Sequence, residues 1–332
     1  MRYTSSRNVL MPPLAVIWLV AGCVACWTLG YYDSVGFPVY EETGATPLWN
    51  LFCHRLTRQD VAYGLGFLLT VGGAFFIHRA NYVLMLIREK TLLPFWIYLL
   101  LESTNPDFFP LKASSIGVFC LVLAMYQLFI AYHDPESHSR AFNAGWIIGL
   151  GSLLWIYILW FVPLFWVGMY KFRSLSWRTF LATLIGVGAV YWLVLGWCVW
   201  SGDYAMLEVP ARTLLHIHPL QLLDTAWTDW TSIVYTVVLA VVASVNILSH
   251  EHDDNLRSRQ YLSFLIWACL WSLLLFFLYE QSSEEFLAVM GLPASILIGH
   301  LFAVIKKRYM FWTYHLSILL YFFFFAIRIW NF

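Results

Sequence analysis

The stretch that decides the fold is GWIIGLGSLLWIYILWFVPLFWVGMY, residues 145–170, which runs for 26 residues without a charged side chain. As a single helix it would be about 39 Å long, whereas the hydrocarbon core of a bilayer is about 30 Å thick. Gly149 and Gly151 offer a place where the run can bend. The run therefore crosses a membrane once as an overlong helix, or it turns back on itself, and every later loop changes side with that choice.

The composition predicts a membrane protein. The chain has 332 residues, of which 61% are hydrophobic and only 11% charged, whereas soluble domains carry about 25% charged residues. Nearly uncharged stretches close to the length of a membrane span recur along it. The clear ones are 12–30, 61–78, 113–132, 179–201, 231–249, 261–279, 285–304 and 311–328. We predict an all-α polytopic transmembrane helical bundle forming one integral-membrane domain over residues 1–332, with membrane lipids as partners and no nucleic-acid partner.

The first apolar run is predicted to be an uncleaved helix. Arg2 and Arg7 precede it, as in a signal peptide, and the sequence VAGC at 20–23 fits a lipoprotein cleavage box. The run continues past that box, however, and its length of about 19 residues suits a span better than a signal core. Cys23-x-x-Cys26 lies inside it, where cysteine acts as a small apolar side chain.

The positions of the basic residues help to choose between the possible topologies, because cytoplasmic loops are enriched in Lys and Arg. If the short segment 91–101 crosses once and the long run turns back, eleven crossings leave 14 of the 19 basic residues in the cytoplasm. If the short segment crosses and the long run crosses only once, 8 basic residues lie in the cytoplasm and 11 lie outside. If the short segment does not cross and the long run crosses once, the chain has nine crossings, and 14 basic residues again lie in the cytoplasm. We favour eleven, with a cytoplasmic N-terminus and an extracytoplasmic C-terminus, because 88–90 (Arg-Glu-Lys) marks a cytoplasmic boundary and 103–110 (STNPDFFP) is typical of an outer turn.

Two long extracytoplasmic loops, 31–60 and 202–230, are the predicted functional segments, since long loops in compact proteins are usually functional. The first carries Asp33 and the adjacent pair Glu41 and Glu42. A carboxylate close to the membrane can act as a general base, or it can bind a divalent cation beside a phosphate. The alternative is a solvated loop with interfacial aromatic residues.

Arginines in the same loops are candidate contacts for an anionic lipid head group. They are Arg55 and Arg58 in the first loop and Arg212 in the second. The second loop also holds His216 and His218, whose side chains lie on the same face only if the segment is extended. Because no third ligand is apparent, we predict no metal site there.

The apolar spans lack a central ionisable residue, which argues against an ion-coupled transporter. Glu102, Glu280 and Glu285 fall at helix ends and are expected to reach the interface. The sequence contains no Walker motif, G-x-S-x-G, H-E-x-x-H or G-x-G-x-x-G, which argues against the chemistries that those motifs serve.

Two family resemblances add to these patterns. The segments REKTLLPFWIYLLLESTNPDFFP at 88–110, FNAGWIIGLGSLLW at 142–155 and FRSLSWRTFLATLIG at 172–186 resemble an uncharacterised family of polytopic inner-membrane proteins of the Bacteroidota. That resemblance implies the cell inner membrane and no assigned activity. The layout also resembles GT-C glycosyltransferases, which take sugars from polyprenyl-phosphate carriers and have an acid-bearing first outer loop, short paired helices and a Gly-rich stretch before a proline-containing span.

The second resemblance implies roles for the residues above. Glu41 or Glu42, with Asp33 as the weaker candidate, would activate an acceptor or hold a divalent cation. Arg212, or Arg55 together with Arg58, would face the phosphate of a polyprenyl phosphate. The chain departs from that family because its acidic pair is in no diagnostic motif.

Three functions remain open from the sequence. The first is a transferase of lipid-linked sugars at the extracytoplasmic face, and the second is a non-catalytic scaffold or assembly protein that binds other envelope membrane proteins. A transporter is the third. An enzyme predicts a pocket at the outer face where loops 31–60 and 202–230 converge on a carboxylate, whereas a scaffold predicts acids that diverge into solvent.

Overall fold

The computed structural model describes residues 12–34, 46–53, 58–220, 227–250, 255–304 and 308–330. Within these ranges the regular structure is helical. The helices are α1 Pro13–Asp33, α2 Pro47–Cys53, α3 Gln59–Leu84, α4 Leu93–Ser103, α5 Ala113–Ile130, α6 His138–Ser152, α7 Phe161–Lys171, α8 Trp177–Ser201, α9 Ala205–Leu215, α10 Trp227–Ser249, α11 Leu256–Leu278, α12 Ser283–Val304 and α13 Arg308–Trp330. Short 3₁₀ turns occupy Pro106–Phe108, Ile156–Trp160 and Glu280–Ser282.

The eight clear spans of the sequence are confirmed as helices. Among the described residues, 8 helices are long and apolar enough to cross a membrane, and each overlaps one predicted span. The short predicted segment is also helical, as α4, but it has only 11 residues. The chain is therefore a multi-pass membrane protein, because so many apolar helices of bilayer length occur in one chain.

The long uncharged run is a hairpin. α6 ends at Ser152, and Trp155 adopts an extended conformation with φ −133° and ψ 97° before the 3₁₀ turn and α7. At the far end of the hairpin, Phe172 accepts a hydrogen bond from the backbone N–H of His133, which lies just before α6. Both ends of the run thus lie at the same end of the bundle, and the run is not a single 39 Å helix.

α12 is the centre of the bundle. Every residue from Phe286 to Ala303 is buried, and the helix packs against α4, α5, α10 and α11. A helix that is apolar all round is expected inside a bundle. By contrast, α8 exposes Trp192, Trp197 and Trp200, as expected of a helix at the lipid-facing surface of a bundle.

Several helix ends meet at one end of the bundle, which we call the acidic end. There α1 approaches α3, because the Gln59 side chain donates to Ser34 Oγ over 2.7 Å. α13 ends close to the segment after α4, where Arg328 donates to Asn105 and pairs with Asp107. The beginnings of α5 and α12 also meet there, so the acidic end gathers residues from six helices or their flanking turns.

The helix of the second long loop is short. α9 begins at Ala205 and ends at Leu215. His216 is already extended, and Pro219 disfavours the helical conformation in the residue before it. The backbone then runs beside the end of α11, where Leu220 donates to Phe277 O and His218 O accepts from Glu280 N–H.

Candidate functional site

A cleft at the acidic end brings together three carboxylates and a lysine. It lies between α3, α4, α5 and α12. We call it the first cleft. Its charged lining residues are Glu102 at the end of α4, Lys112 just before α5, and Glu284 and Glu285 in the first turn of α12.

Lys112 and Glu284 form an ion pair across the mouth of the first cleft. Lys112 Nζ lies 3.3 Å from Glu284 Oε2, and the two side chains are 31% and 51% exposed. A pair this exposed contributes little to stability, about 0–1 kcal/mol. The lysine can therefore exchange its carboxylate partner for an anionic ligand at little cost.

Glu285 is held by the hairpin of the long run. Its Oε2 accepts a hydrogen bond from the Trp155 indole N–H, and Trp155 is the residue at which that run leaves the helical conformation. The Trp155 ring also packs against Phe286. The break in the long run thus orients one of the acids of the first cleft.

Glu102 is the most buried acid of the described residues. Its side chain is 6% exposed, and its Oε1 is buried without a hydrogen-bond partner among the described residues. Burying a polar atom without a partner costs about 1–3 kcal/mol, and more if the group is charged. Such a cost usually marks a functional site in a membrane protein.

The end of α4 is buried because the connection to α5 folds over it. Phe109 in this connection is completely buried, and its ring centroid lies 4.7 Å from that of Trp27 in α1. Leu111 N–H donates to Ala62 O in α3 over 3.1 Å. Glu102, which the sequence led us to expect at the interface, is thus buried in a part of the bundle where these segments pack together.

The remainder of the first cleft is mostly apolar. Leu69 of α3 and Val118, Phe119 and Val122 of α5 line it, on helices long enough to span a bilayer. The cleft is thus amphipathic, with charged groups at its acidic end and an apolar wall along membrane helices. It has the chemistry to hold an anionic head group at Lys112, to receive a proton on a carboxylate, and to accommodate a hydrocarbon chain.

The structure describes one of the three acids predicted from the sequence. Glu41 and Glu42 fall outside the described residues. Asp33 is at the end of α1 and is exposed. Of the predicted acids, the structure therefore describes Asp33, and this residue does not line the first cleft.

The structure describes two of the three predicted arginines, and each pairs with a nearby acid. Arg55 lies outside the described residues. Arg58 precedes α3 and pairs with Asp60 at 2.7 Å, and this hydrogen bond raises the pKa of the guanidinium. Arg212, on α9, pairs with Glu208 one turn earlier. Both described arginines are exposed, and neither lines the first cleft.

The two long loops do meet the hairpin. Thr46, just before α2, donates to Leu154 O over 2.6 Å, and the Tyr279 hydroxyl donates to Leu214 O over 2.8 Å at the end of α9. Tyr279 in turn packs against Tyr157 in the 3₁₀ turn of the hairpin, with ring centroids 5.0 Å apart. The described parts of loops 31–60 and 202–230 thus flank the turn that positions Glu285.

The paired histidines share a face, as expected for an extended segment. The His216 and His218 rings lie with centroids 4.2 Å apart, and both residues are exposed. Among the described residues, no three His, Cys, Asp or Glu side chains are grouped as metal ligands.

The residues that line the first cleft were not singled out by the sequence. Lys112 and Glu284 are 172 positions apart, and Trp155 and Glu285 are 130 apart. One sequence signal did point to them, because the favoured topology puts Lys112 and all three cleft glutamates on the outer side of the membrane.

No family model matches the chain, and no curated protein matches it. Among solved structures, it is similar to the crystal structure of an oligosaccharyltransferase from Archaeoglobus fulgidus, in which an acceptor peptide is tethered by a disulfide bond. The identity is 10%, the TM-score is 0.46, and the match covers 94% of this chain. This chain spans about half of that enzyme, since the match covers 54% of it. The proposal below therefore rests on the geometry of the first cleft.

Proposed function

We propose that this protein is a glycosyltransferase of the cell inner membrane that transfers a sugar from a polyprenyl phosphate at the extracytoplasmic face. The observation that carries the proposal is the buried Glu102 carboxylate, which lines the same amphipathic cleft as Lys112. A lipid-linked sugar has a hydrocarbon chain, a negative phosphate and a bond that breaks with proton transfer. The first cleft offers a matching group for each of these.

In this proposal Lys112 binds the phosphate and leaves Glu284 as the donor enters. The prenyl chain lies along the apolar wall formed by Leu69 of α3 and Phe119 of α5. The Glu102 carboxylate faces the sugar. The Lys112–Glu284 pair is exposed and therefore weak, which allows the exchange of partners at Lys112.

The chemical step is the displacement of phosphate at the anomeric carbon. An acceptor hydroxyl oxygen bonds to that carbon, its proton passes to the Glu102 carboxylate, and the bond between the anomeric carbon and the phosphate oxygen breaks. The bonding electrons leave with the polyprenyl phosphate, whose negative charge Lys112 stabilises. Glu285, oriented by Trp155, is the second candidate base.

The proposal includes the topology with eleven crossings. α4, α6 and α7 then cross in addition to the eight long helices, with the N-terminus in the cytoplasm and the C-terminus outside. This arrangement keeps 14 of the 19 basic residues in the cytoplasm, and it turns the acidic end outward. The three shorter helices leave part of the bilayer thickness to the connecting turns, which protein must shield from lipid.

Glu41, Glu42 and Asp33 remain proposed catalytic or cation-binding residues of the first outer loop, and Arg55 a proposed phosphate contact. Loop 31–60 flanks the hairpin turn through Thr46, so its acids are candidates to approach the first cleft. A divalent cation remains a proposed cofactor, and it would be bound only by these acids of the first outer loop.

A binding experiment tests where the phosphate sits. The purified protein is titrated with a polyprenyl phosphate, and the bound fraction is measured by native mass spectrometry for Lys112→Gln, Arg58→Gln and Arg212→Gln. We expect Lys112→Gln to weaken binding about tenfold or more, because it removes a hydrogen bond to a charged group. The two arginine variants serve as matched controls and should bind within about twofold of the parent.

An activity experiment separates the two sets of acids. The protein is incubated with a lipid extract from the membranes that contain it, and the release of polyprenyl phosphate is followed by mass spectrometry. Glu102→Gln should reduce release by about 10²–10⁴-fold, as expected when a general base is lost. A comparable loss in the double change Glu41→Gln with Glu42→Gln, and none in Glu102→Gln, would move the chemistry to the first loop. Binding of bulk phospholipid alone, together with a stoichiometric protein partner, would favour the scaffold.

A further inference from the structure

A second cleft lies on the other side of α4 and α12. α10 and α13 form its remaining walls. Glu102 and Phe108 line both clefts. The Glu102 side chain therefore borders two cavities, which lie on different sides of the α4 and α12 pair.

On the second side, the carboxyl group packs against α12 at a glycine. A Cβ atom at Gly291 would lie 3.2 Å from Glu102 Oε1, closer than ordinary van der Waals contact. Gly291 lines the second cleft, so the oxygen without a hydrogen-bond partner lies near this cavity. A small ligand group in the second cleft can thus approach it.

The second cleft differs from the first in its chemistry. No Lys or Arg is among the described residues that line it, and its other polar groups are neutral. The Thr236 hydroxyl lies 2.9 Å from the Tyr321 hydroxyl, and the Thr104 hydroxyl donates to Leu100 O over 2.8 Å. Hydroxyl oxygens held in this way retain lone pairs for a ligand donor, which suits an O–H group and not a phosphate.

The second cleft also has apolar lining residues. Ile233 and Leu287 line it. The helices that close it expose apolar residues on their outer faces, including Val234 and Val238 of α10 and Leu319 of α13. A ligand of this cleft therefore has a neutral hydroxyl-bearing head group and a hydrocarbon tail.

We propose that the second cleft is the acceptor site and that the acceptor is a neutral membrane lipid with a free hydroxyl group. This inference rests on the proposed glycosyltransferase function. The donor enters the first cleft, the acceptor lipid enters the second, and the acceptor hydroxyl donates its hydrogen bond to Glu102 Oε1. In the transfer, the acceptor oxygen bonds to the anomeric carbon, its proton goes to Glu102, and the polyprenyl phosphate leaves with the electrons of the broken bond.

The test uses a photoactivatable diacylglycerol as the neutral hydroxyl probe, with phosphatidic acid of the same acyl chains as the anionic control. The full-length protein is labelled in lipid nanodiscs, and the labelled peptides are mapped by mass spectrometry. We expect the diacylglycerol to label α10 and α13, with at least about a tenfold preference over phosphatidic acid. Each of the two clefts also receives one blocking substitution, Ile233→Trp in the second and Leu69→Trp in the first.

Ile233→Trp should reduce the α10 and α13 labelling about tenfold and leave polyprenyl phosphate binding within about twofold, since it fills only the second cleft. Leu69→Trp should show the opposite pattern. If Ile233→Trp does not fold, Thr236→Val replaces it, with an expected loss of about fivefold from one neutral hydrogen bond.

The two proposals fail in different readouts. Equal labelling by both lipids, or labelling that does not respond to the change at 233 or 236, overturns the acceptor proposal. Labelling by a hydroxylated peptide or sugar in place of the lipid overturns it as well. Loss of polyprenyl phosphate binding only in the arginine variants at 58 and 212 overturns the assignment of the donor to the first cleft and leaves the lipid site standing.

Discussion

Replacing Gly186 by alanine should disrupt the close packing of α6 against α8. A Cβ atom at Gly186 would lie 2.8 Å from the backbone nitrogen of Trp146, whereas ordinary van der Waals contact begins at 3.4 Å. The two helices must therefore separate by at least about 0.6 Å, the difference between these distances. Backbone atoms cannot rotate away as a side chain can, so the strain falls on the helix pair. Overpacking of this kind costs about 1–3 kcal/mol.

Gly188→Ala is the matched control, because it makes the same chemical change two residues along the same helix. A Cβ atom at Gly188 has nothing within 4 Å, so this variant should be unchanged or up to about 1 kcal/mol more stable through helix propensity. The free energies of unfolding should then differ by about 2 kcal/mol, or roughly 30-fold in the folding equilibrium.

Unfolding of the purified variants in mixed micelles, by titration with SDS and followed by tryptophan fluorescence, measures this difference. Small residues at helix interfaces allow close approach in membranes, and the Gly145-x-x-x-Gly149 pair of α6 faces α8. Equal stabilities of the Gly186 and Gly188 variants would refute the close approach of the two helices. Because α6 leads into Trp155, the Gly186 variant should also lose activity.

Two further predictions concern the topology and the first cleft. In a background without native cysteines, Asn105→Cys should react with an impermeant thiol reagent applied from outside and Glu136→Cys should not, whereas the reverse pattern would select nine crossings. Trp155→Phe keeps the ring but removes the hydrogen bond to Glu285, so it should lower activity about tenfold or more while polyprenyl phosphate binding stays unchanged; a normal rate would remove Glu285 from the mechanism.

The sequence predicted those parts of the fold that depend on local composition. A run of 26 uncharged residues is too long for one upright span, and its glycines lie where α6 ends. The eight long helices follow from apolar length alone. These features depend on the composition of each segment alone, so they can be predicted without knowing which other segments pack against it.

The site was not predicted, because it depends on contacts between distant segments. Glu102 ends a short apolar helix, and nothing local distinguishes it from an acid that reaches the interface. It is buried, and its carboxyl group packs against Gly291 of α12, 189 positions later in the chain. The sequence instead favoured Glu41 and Glu42 as catalytic residues, since two adjacent acids in a long loop are easily recognised in a sequence.

The burial of Glu102 leads to a prediction about stability that separates a functional from a structural role. A carboxyl oxygen without a partner costs about 1–3 kcal/mol, so Glu102→Met, which retains a side chain of similar length, should raise the free energy of unfolding by about that amount. Asp107→Asn is the opposite case, because the Asp107 carboxylate is paired with Arg328, whose side chain is 16% exposed. The free energy of unfolding of that variant should fall by about 1–3 kcal/mol, since Asn cannot supply the negative charge that balances the poorly solvated Arg328.

A stabilised Glu102→Met protein that has lost activity would identify a group kept for function at the expense of stability, as is common in active sites. SDS titration and the release of polyprenyl phosphate, measured on the same preparation, provide the two readouts. If Glu102→Met is destabilised instead, the carboxyl group is a structural element of the bundle with a partner that holds it, and the general base must be sought at Glu285 or in the first outer loop.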